Sequence, residues 1–178
     1  YNKLKTAKIE LTSQIAICNE EIEYLENIML GIENCENLEE LSDIKDELIR
    51  LGYAKAPFRY KAKKDIDITT KPNKFISSDG FIILVGKNNK QNDYLTLRIA
   101  DPEDLWMHTK NIPGSHVIIQ ANPVDEITLE EAGIIAAYYS KGKNDSKVSV
   151  DYTEVKNLKK PNGAKPGMVI YYTNKTMF

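Results

Sequence analysis

Asp104-Leu105-Trp106-Met107-His108, running on to Pro113-Gly114-Ser115-His116-Val117-Ile118-Ile119, is the stretch on which the reading of this chain turns. It holds the single tryptophan and both histidines. In an extended strand side chains alternate between faces, so Asp104, Trp106 and His108 share one face, and Leu105 and Met107 the other. Pro113 presets the first central turn position and Gly114 supplies positive φ at the second, which predicts a reversal before Val117-Ile118-Ile119. With a two-residue turn, His116 falls opposite Asn111 and faces away from His108. A loop one residue longer flips that register.

Outward from this hairpin the pattern stays that of a sheet. Phe75-Ile76 and Phe81-Ile82-Ile83-Leu84-Val85 flank Ser78-Asp79-Gly80, a second predicted hairpin whose later strand is apolar on both faces and therefore central. Gly86 to Asp93 reads as a polar, amide-rich loop. Tyr94 to Ala100 alternates like a strand, yet Asn92 or Asp93 would cap a helix, and a short helix is the preferred reading. Leu129 to Ser140 is apolar enough to cover the sheet as a helix, with Thr128 as its N-cap. Lys147 to Val155 reads as a half-exposed strand and Val169 to Tyr172 as the last strand. The Lys156, Lys159, Lys160 and Lys165 loop lies between them.

The amino-terminal part follows another period. Leu4, Leu11, Cys18, Leu25 and Ile32 recur every seventh residue, with Ile15, Ile22 and Met29 at the complementary position, as in a coiled-coil seam. Asn34 to Asn37 interrupts it. Leu38, Leu41, Ile44, Leu48 and Leu51 then begin a shorter helix ended by Gly52. Such a hairpin either packs on its own globule or projects as an arm. The expected fold class is α+β: an N-terminal helical coiled-coil hairpin followed by a mixed or antiparallel sheet domain with a covering helix. The expected units are an arm at 1–53, a basic linker at 54–74 with Lys55, Arg59, Lys61, Lys63 and Lys64, and an α+β domain at 75–178.

A composition of 42% hydrophobic and 28% charged residues excludes a disordered chain. No long uncharged apolar run suggests a membrane span, and a cytosolic fragment of a longer protein is expected. Cys18 and Cys35 are expected to be buried reduced thiols. The formal charge of −2 divides into −7 over residues 1–53 and +5 over residues 54–178. A basic globule suits polyanions without requiring them.

His108, His116 and Asp104 invite a metal or catalytic reading. The expected register separates the histidines and no cysteine is near, so no metal or other cofactor is expected. Ser115 beside His116 lacks any nucleophile-elbow context, so no catalytic residue is assigned. Binding uses these groups more naturally. Rings can stack on bases, imidazoles can donate to phosphate, and successive amides at Gly114-Ser115-His116 can cradle an anion. A structural role in which Trp106 is core stands beside that one.

The central stretch, Ser77-Ser78-Asp79-Gly80-Phe81, Gly86-Lys87-Asn88-Asn89-Lys90-Gln91-Asn92-Asp93 and Gly163-Ala164-Lys165-Pro166-Gly167 together resemble the C-terminal NFACT-R segment of the NFACT family. The heptad region is similar to part of that family's middle coiled coil, which favours the projecting arm. The resemblance implies an RNA-binding, non-enzymatic module of a ribosome quality control protein. Such proteins recognise large ribosomal subunits obstructed by peptidyl-tRNA and support tRNA recruitment for template-independent alanine tailing. It implies RNA contact by Lys87, Asn88, Asn89, Asn92, Asp93, Arg98, Trp106, His108, Ser115, His116, Lys156, Lys159, Lys160 and Lys165. Expected partners are large-subunit rRNA and tRNA, with ribosomal protein contact through the coiled coil. Choice of tRNA is not expected, because the family's signature for it belongs to another part. The family's older label offers fibronectin binding as the alternative, and a structural platform on ribosomal proteins is a third. The long seam also predicts self-association, since residues 3 to 33 would span roughly 45 Å as a helix and the second helix about half of that.

Overall fold

The computed structural model describes residues 2–58, 60 and 71–178, so Arg59, Lys61, Lys63 and Lys64 of the basic linker lie outside the described residues. Among the described residues no helix is long and apolar enough to cross a membrane. The chain is α+β. Six strands, β1 (Asn73–Ile76), β2 (Ile82–Val85), β3 (Leu105–Thr109), β4 (Val117–Ile119), β5 (Val150–Glu154) and β8 (Lys175–Met177), form one antiparallel sheet in the order β1-β2-β4-β3-β5-β8. Two short strands, β6 (Leu158–Lys159) and β7 (Ile170–Tyr171), pair separately.

Both faces of the sheet are covered, which is why the central strands read as unbroken apolar runs rather than alternating ones. On one face Ile83, Val85, Leu105, Met107, Val117 and Ile119 pack beneath Ala132 and Ala136 of α4 (Glu126–Tyr138). On the other, Trp106 and Ile118 pack with Leu95 and, at the margin, Leu158, Val169 and Tyr171. Two elements differ from the sequence reading here. Helix α4 starts three residues early, because the Asp125 carboxylate caps it by accepting from the Thr128 N–H at 2.6 Å, and Thr128 lies inside the first turn. Val169 to Tyr172 is not the last strand of the main sheet. Its central pair joins the small ribbon over the second face, and Lys175–Met177 takes the edge beside β5.

The segment Gly86 to Asp93 is mostly helix rather than loop. Asn88, not Asn92 or Asp93, is the cap: its side chain accepts from the Gln91 N–H and opens α3 (Asn89–Tyr94). The chain continues as a π-helical turn, Leu95–Ile99, so the helical preference for that stretch holds. Gly86 permits this close packing, since a Cβ there would sit 2.2 Å from the Asn92 side-chain oxygen.

The hairpin of α1 (Asn2–Glu33) and α2 (Leu38–Arg50) is as read, with Asn37 capping α2 through the Glu40 N–H. Leu4, Leu11 and Ile15 of the heptad seam are exposed, as the length of α1 beyond α2 implies, and Cys18, Ile22 and Met29 are exposed with them, which overturns the buried Cys18. Contact with the rest of the fold uses another face, Tyr24, Ile28 and Gly31, against Ile44 of α2, the Lys87 carbonyl and the Asn88 side chain. Helix α2 is inverted relative to its apolar pattern. Leu38 and Leu41 are exposed, while Glu40, Asp43, Asp46 and Glu47 are buried. The acidic stripe faces α3, where Lys87 pairs with Glu40 and Glu36 and Lys90 lies 3.6 Å from Asp43.

Candidate functional site

The two histidines converge. Strands β3 and β4 pair Met107 with Val117, so residues 110–116 form a wide loop and His108 and His116 fall on the same face. The two-residue turn expected at Pro113-Gly114 is absent. Asn111 instead takes the positive φ of 58°, and Gly114 bridges to Ser140 at the end of α4. Ring centroids lie 5.6 Å apart between the histidines, 5.7 Å between Trp106 and His108, and 5.2 Å between Trp106 and His116. Thr96 Oγ1 is 2.7 Å from His116 Nδ1, and His108 Nε2 donates to the Gly114 carbonyl at 3.2 Å.

This cluster is an interior one. Trp106 is 1% exposed and His116 3%, so neither ring offers a face to a base. Burial lowers the pKa of both imidazoles, with His108 and then Lys160 adding repulsion at His116, so both are neutral at pH 7. Asp104 does not orient His108. Its carboxylate accepts from the Asp101 N–H at 2.9 Å, and burial raises its pKa. Asp151, opposite His108 in the β3–β5 register, is the nearer acid and is held by Tyr171 and Thr176. Among the described residues no group of three or more His, Cys, Asp or Glu could hold a metal ion.

The remaining expected contacts do not gather in one place. Lys87, Asn88, Asn89 and Asn92 are buried under the arm, and Ser115 is buried in the β3–β4 loop. The Asn89 amide donates to Glu47 at 3.2 Å and Asn92 Oδ1 accepts from the His116 N–H at 3.1 Å. For Lys87, burial favours the neutral amine, but the bonds to Glu40 and Glu36 outweigh it and raise the pKa. Lys156 and Lys159 are exposed, with Lys156 bridging Glu103 and Glu154. Lys165 turns to the arm, pairing with Glu21 and lying 4.5 Å over the Tyr24 ring.

Asp93, Arg98 and Lys160 meet at an open cavity of about 670 Å³ between the end of α2, α3 and the 160–166 loop. Arg50 and Lys90 also border it, and Leu51, Tyr94, Leu97 and Pro166 give it apolar walls. Lys160 binds both Asp93 oxygens, at 2.6 and 2.7 Å. Glu47 closes the inner side. Tyr24 donates to its Oε1, and burial raises the carboxyl pKa against the opposing effect of that bond. Sequence reasoning missed Glu47, Arg50, Lys90, Tyr94 and Leu97. The legible signal was the spacing of Tyr94, Leu97 and Arg98, which share a face only if the segment is helical.

The family model described as "NFACT protein RNA binding domain" matches residues 71–173, and "NFACT N-terminal and middle domains" matches residues 1–66. The chain is 43% identical to "Rqc2 homolog RqcH" of Bacillus subtilis (strain 168) over 178 residues, covering 100% of this chain and 31% of that protein. It is 45% identical to the protein of the same name from Streptococcus suis, covering 99% and 32%. It thus spans about a third of the length of these relatives. The solved C-terminal part of the fibronectin/fibrinogen-binding protein from Streptococcus suis superposes with a TM-score of 0.86 at 42% identity, covering 99% of this chain and 70% of that one. With a helical hairpin and a twice-covered antiparallel sheet matched along its whole length, this chain belongs to the NFACT family.

Proposed function

We propose that this chain is the RNA-binding module, with its adjoining arm, of a ribosome quality control protein. In this reading it helps recognise large ribosomal subunits obstructed by peptidyl-tRNA and supports tRNA recruitment for template-independent alanine tailing. The match of residues 71–173 to the family's RNA-binding domain carries the reading. The cavity supports it electrostatically: Arg98 is exposed there beside Arg50, Lys90 and Lys160, the last two facing Asp43 and Asp93. The module binds and positions, and peptide transfer belongs to the ribosome. The exposed seam of α1 leaves the arm's far half open to ribosomal protein.

Fibronectin binding is the competing reading, favoured by the name of the Streptococcus suis structure. Direct titration of an RNA oligonucleotide and of soluble fibronectin distinguishes the two. RNA affinity that falls about tenfold or more between roughly 50 and 200 mM salt is expected, because each neutralised phosphate releases counterions. Salt-insensitive fibronectin binding without RNA binding would reverse the assignment.

A further inference from the structure

The cavity between the arm and the sheet domain has the makings of a site for something planar and anionic. Its volume of about 670 Å³ lies within the usual range for small-ligand clefts. Tyr94 and Leu97, 37% and 43% exposed, stand one helical turn apart and turn apolar surface to the opening. Arg98 is exposed at the rim, while Lys160 is spent on Asp93, which also accepts from the Gly167 N–H at 2.9 Å, and Lys90 lies 3.6 Å from Asp43. Glu47 supplies an independent observation. It is 2% exposed, and its Oε2 has no hydrogen-bond partner among the described residues. A buried carboxyl oxygen without a partner is costly, and a ligand edge that meets it removes the cost.

We propose that this cavity takes one unpaired nucleotide of a bound RNA strand. The base lies against Tyr94 and Leu97 with its hydrogen-bonding edge at Glu47 Oε2, and the phosphate rests at Arg98. A base edge carries donors and acceptors together, so it meets a carboxyl oxygen in either protonation state. Apolar walls beside the exposed Arg98 guanidinium favour a nucleotide over an apolar peptide, which would leave that guanidinium unmatched, and over a bare phosphate, which would leave the walls wet. The inference rests on the RNA-binding reading and adds the place and the single-stranded form of the ligand.

The test uses the whole chain with three probes: an oligo(A) strand of roughly 12 nucleotides, a blunt RNA duplex of equal length, and adenosine 5′-monophosphate. The single strand is expected to bind more tightly than the duplex and far more tightly than the mononucleotide. Tyr94→Ala should weaken single-strand binding about tenfold with an unchanged salt slope and leave duplex binding intact. Arg98→Ala should weaken it and reduce the slope by about 0.7, one phosphate contact. Glu47→Gln should change the ratio of oligo(A) to oligo(U) affinity. Single-strand binding that is unchanged in Tyr94→Ala and Arg98→Ala overturns the pocket while leaving the RNA-binding reading in place. A mononucleotide bound as tightly as the strand overturns RNA as the source of the ligand. A wild-type chain that binds neither RNA removes the RNA-binding reading and this inference with it.

Discussion

His116 is packed edge-on against Trp106 and His108, with Thr96 on one ring nitrogen, in a space that its own charge would destabilise. Its pKa and that of His108 are lowered by burial, while the unfolded chain titrates near 6.5. Below about pH 6.5 the unfolded state therefore binds protons that the folded state refuses, and stability falls as pH falls. One proton per histidine sets the ceiling on that slope at about 1.4 kcal/mol per pH unit. Glu47 and Asp104, raised by burial, act in the opposite sense, because the folded state protonates them first as pH drops. The histidine contribution is isolated by comparing urea midpoints of wild type and His116→Asn between pH 7.5 and 5. The variant is expected to be less stable at neutral pH yet to show the flatter pH dependence; parallel curves would mean that His116 titrates normally.

Helix α2 shows how an element can dock by its charged face. An aliphatic stripe at 38, 41, 44, 48 and 51 promises an apolar seat, yet only Ile44 is fully buried and the acidic stripe takes the contact. Lys87 and Lys90 are carried by α3 and the residue before its cap, so a partner with fixed positive charge waits where α2 lands. Removing one member of a buried pair leaves the other uncompensated, which costs about 3–5 kcal/mol. Lys87→Ala is accordingly expected to lower the unfolding free energy by about 3 kcal/mol, because Glu40 remains buried without its cation. Lys87→Met combined with Glu40→Gln should recover much of that loss. Chemical denaturation of the three proteins checks this, and a loss under about 1 kcal/mol for the single variant would show the pair to be dispensable.

At the scale of the molecule the arm and the sheet unit are joined through one end of α1 and through α2. Residues 2–20 are exposed throughout, whereas Tyr24 and Ile28 are buried against the fold. Leu4 is 77% exposed, and the seam continues outward through Leu11, Ile15, Ile22 and Met29. An unpaired heptad stripe of this length favours association with a second helix. Sedimentation of the 178-residue chain is expected to show dimers or larger species at high concentration. Removing residues 2–20, which touch no core, should leave a folded monomer. A monomer at every concentration would show that the stripe alone does not drive pairing.

Local pattern was enough for the helical hairpin, for the central apolar strands, for a helix over the sheet, and for the shared face of Trp106 and His108, because these follow from side-chain periodicity along the chain. The Gly86 to Asp93 stretch was legible as a special polar segment but not as the socket for α2, since its partners lie some forty to fifty residues upstream. The convergence of His108 with His116 depended on loop length, and a change of one residue in register moves a side chain to the other face of a sheet. The cavity was the least legible part. Arg98, Asp93 and Lys160 could be named one by one, but Glu47, Tyr94 and Leu97 join them only when α2, α3 and the 160–166 loop meet. Sequence by itself determined the helical hairpin, the central apolar strands and the covering helix, and that a basic, amide-rich globule follows an acidic arm. Tertiary structure alone decided which charges are spent on one another and which still face solvent, because electrostatic pairing is set by distance in space and burial, and neither is written in the order of residues.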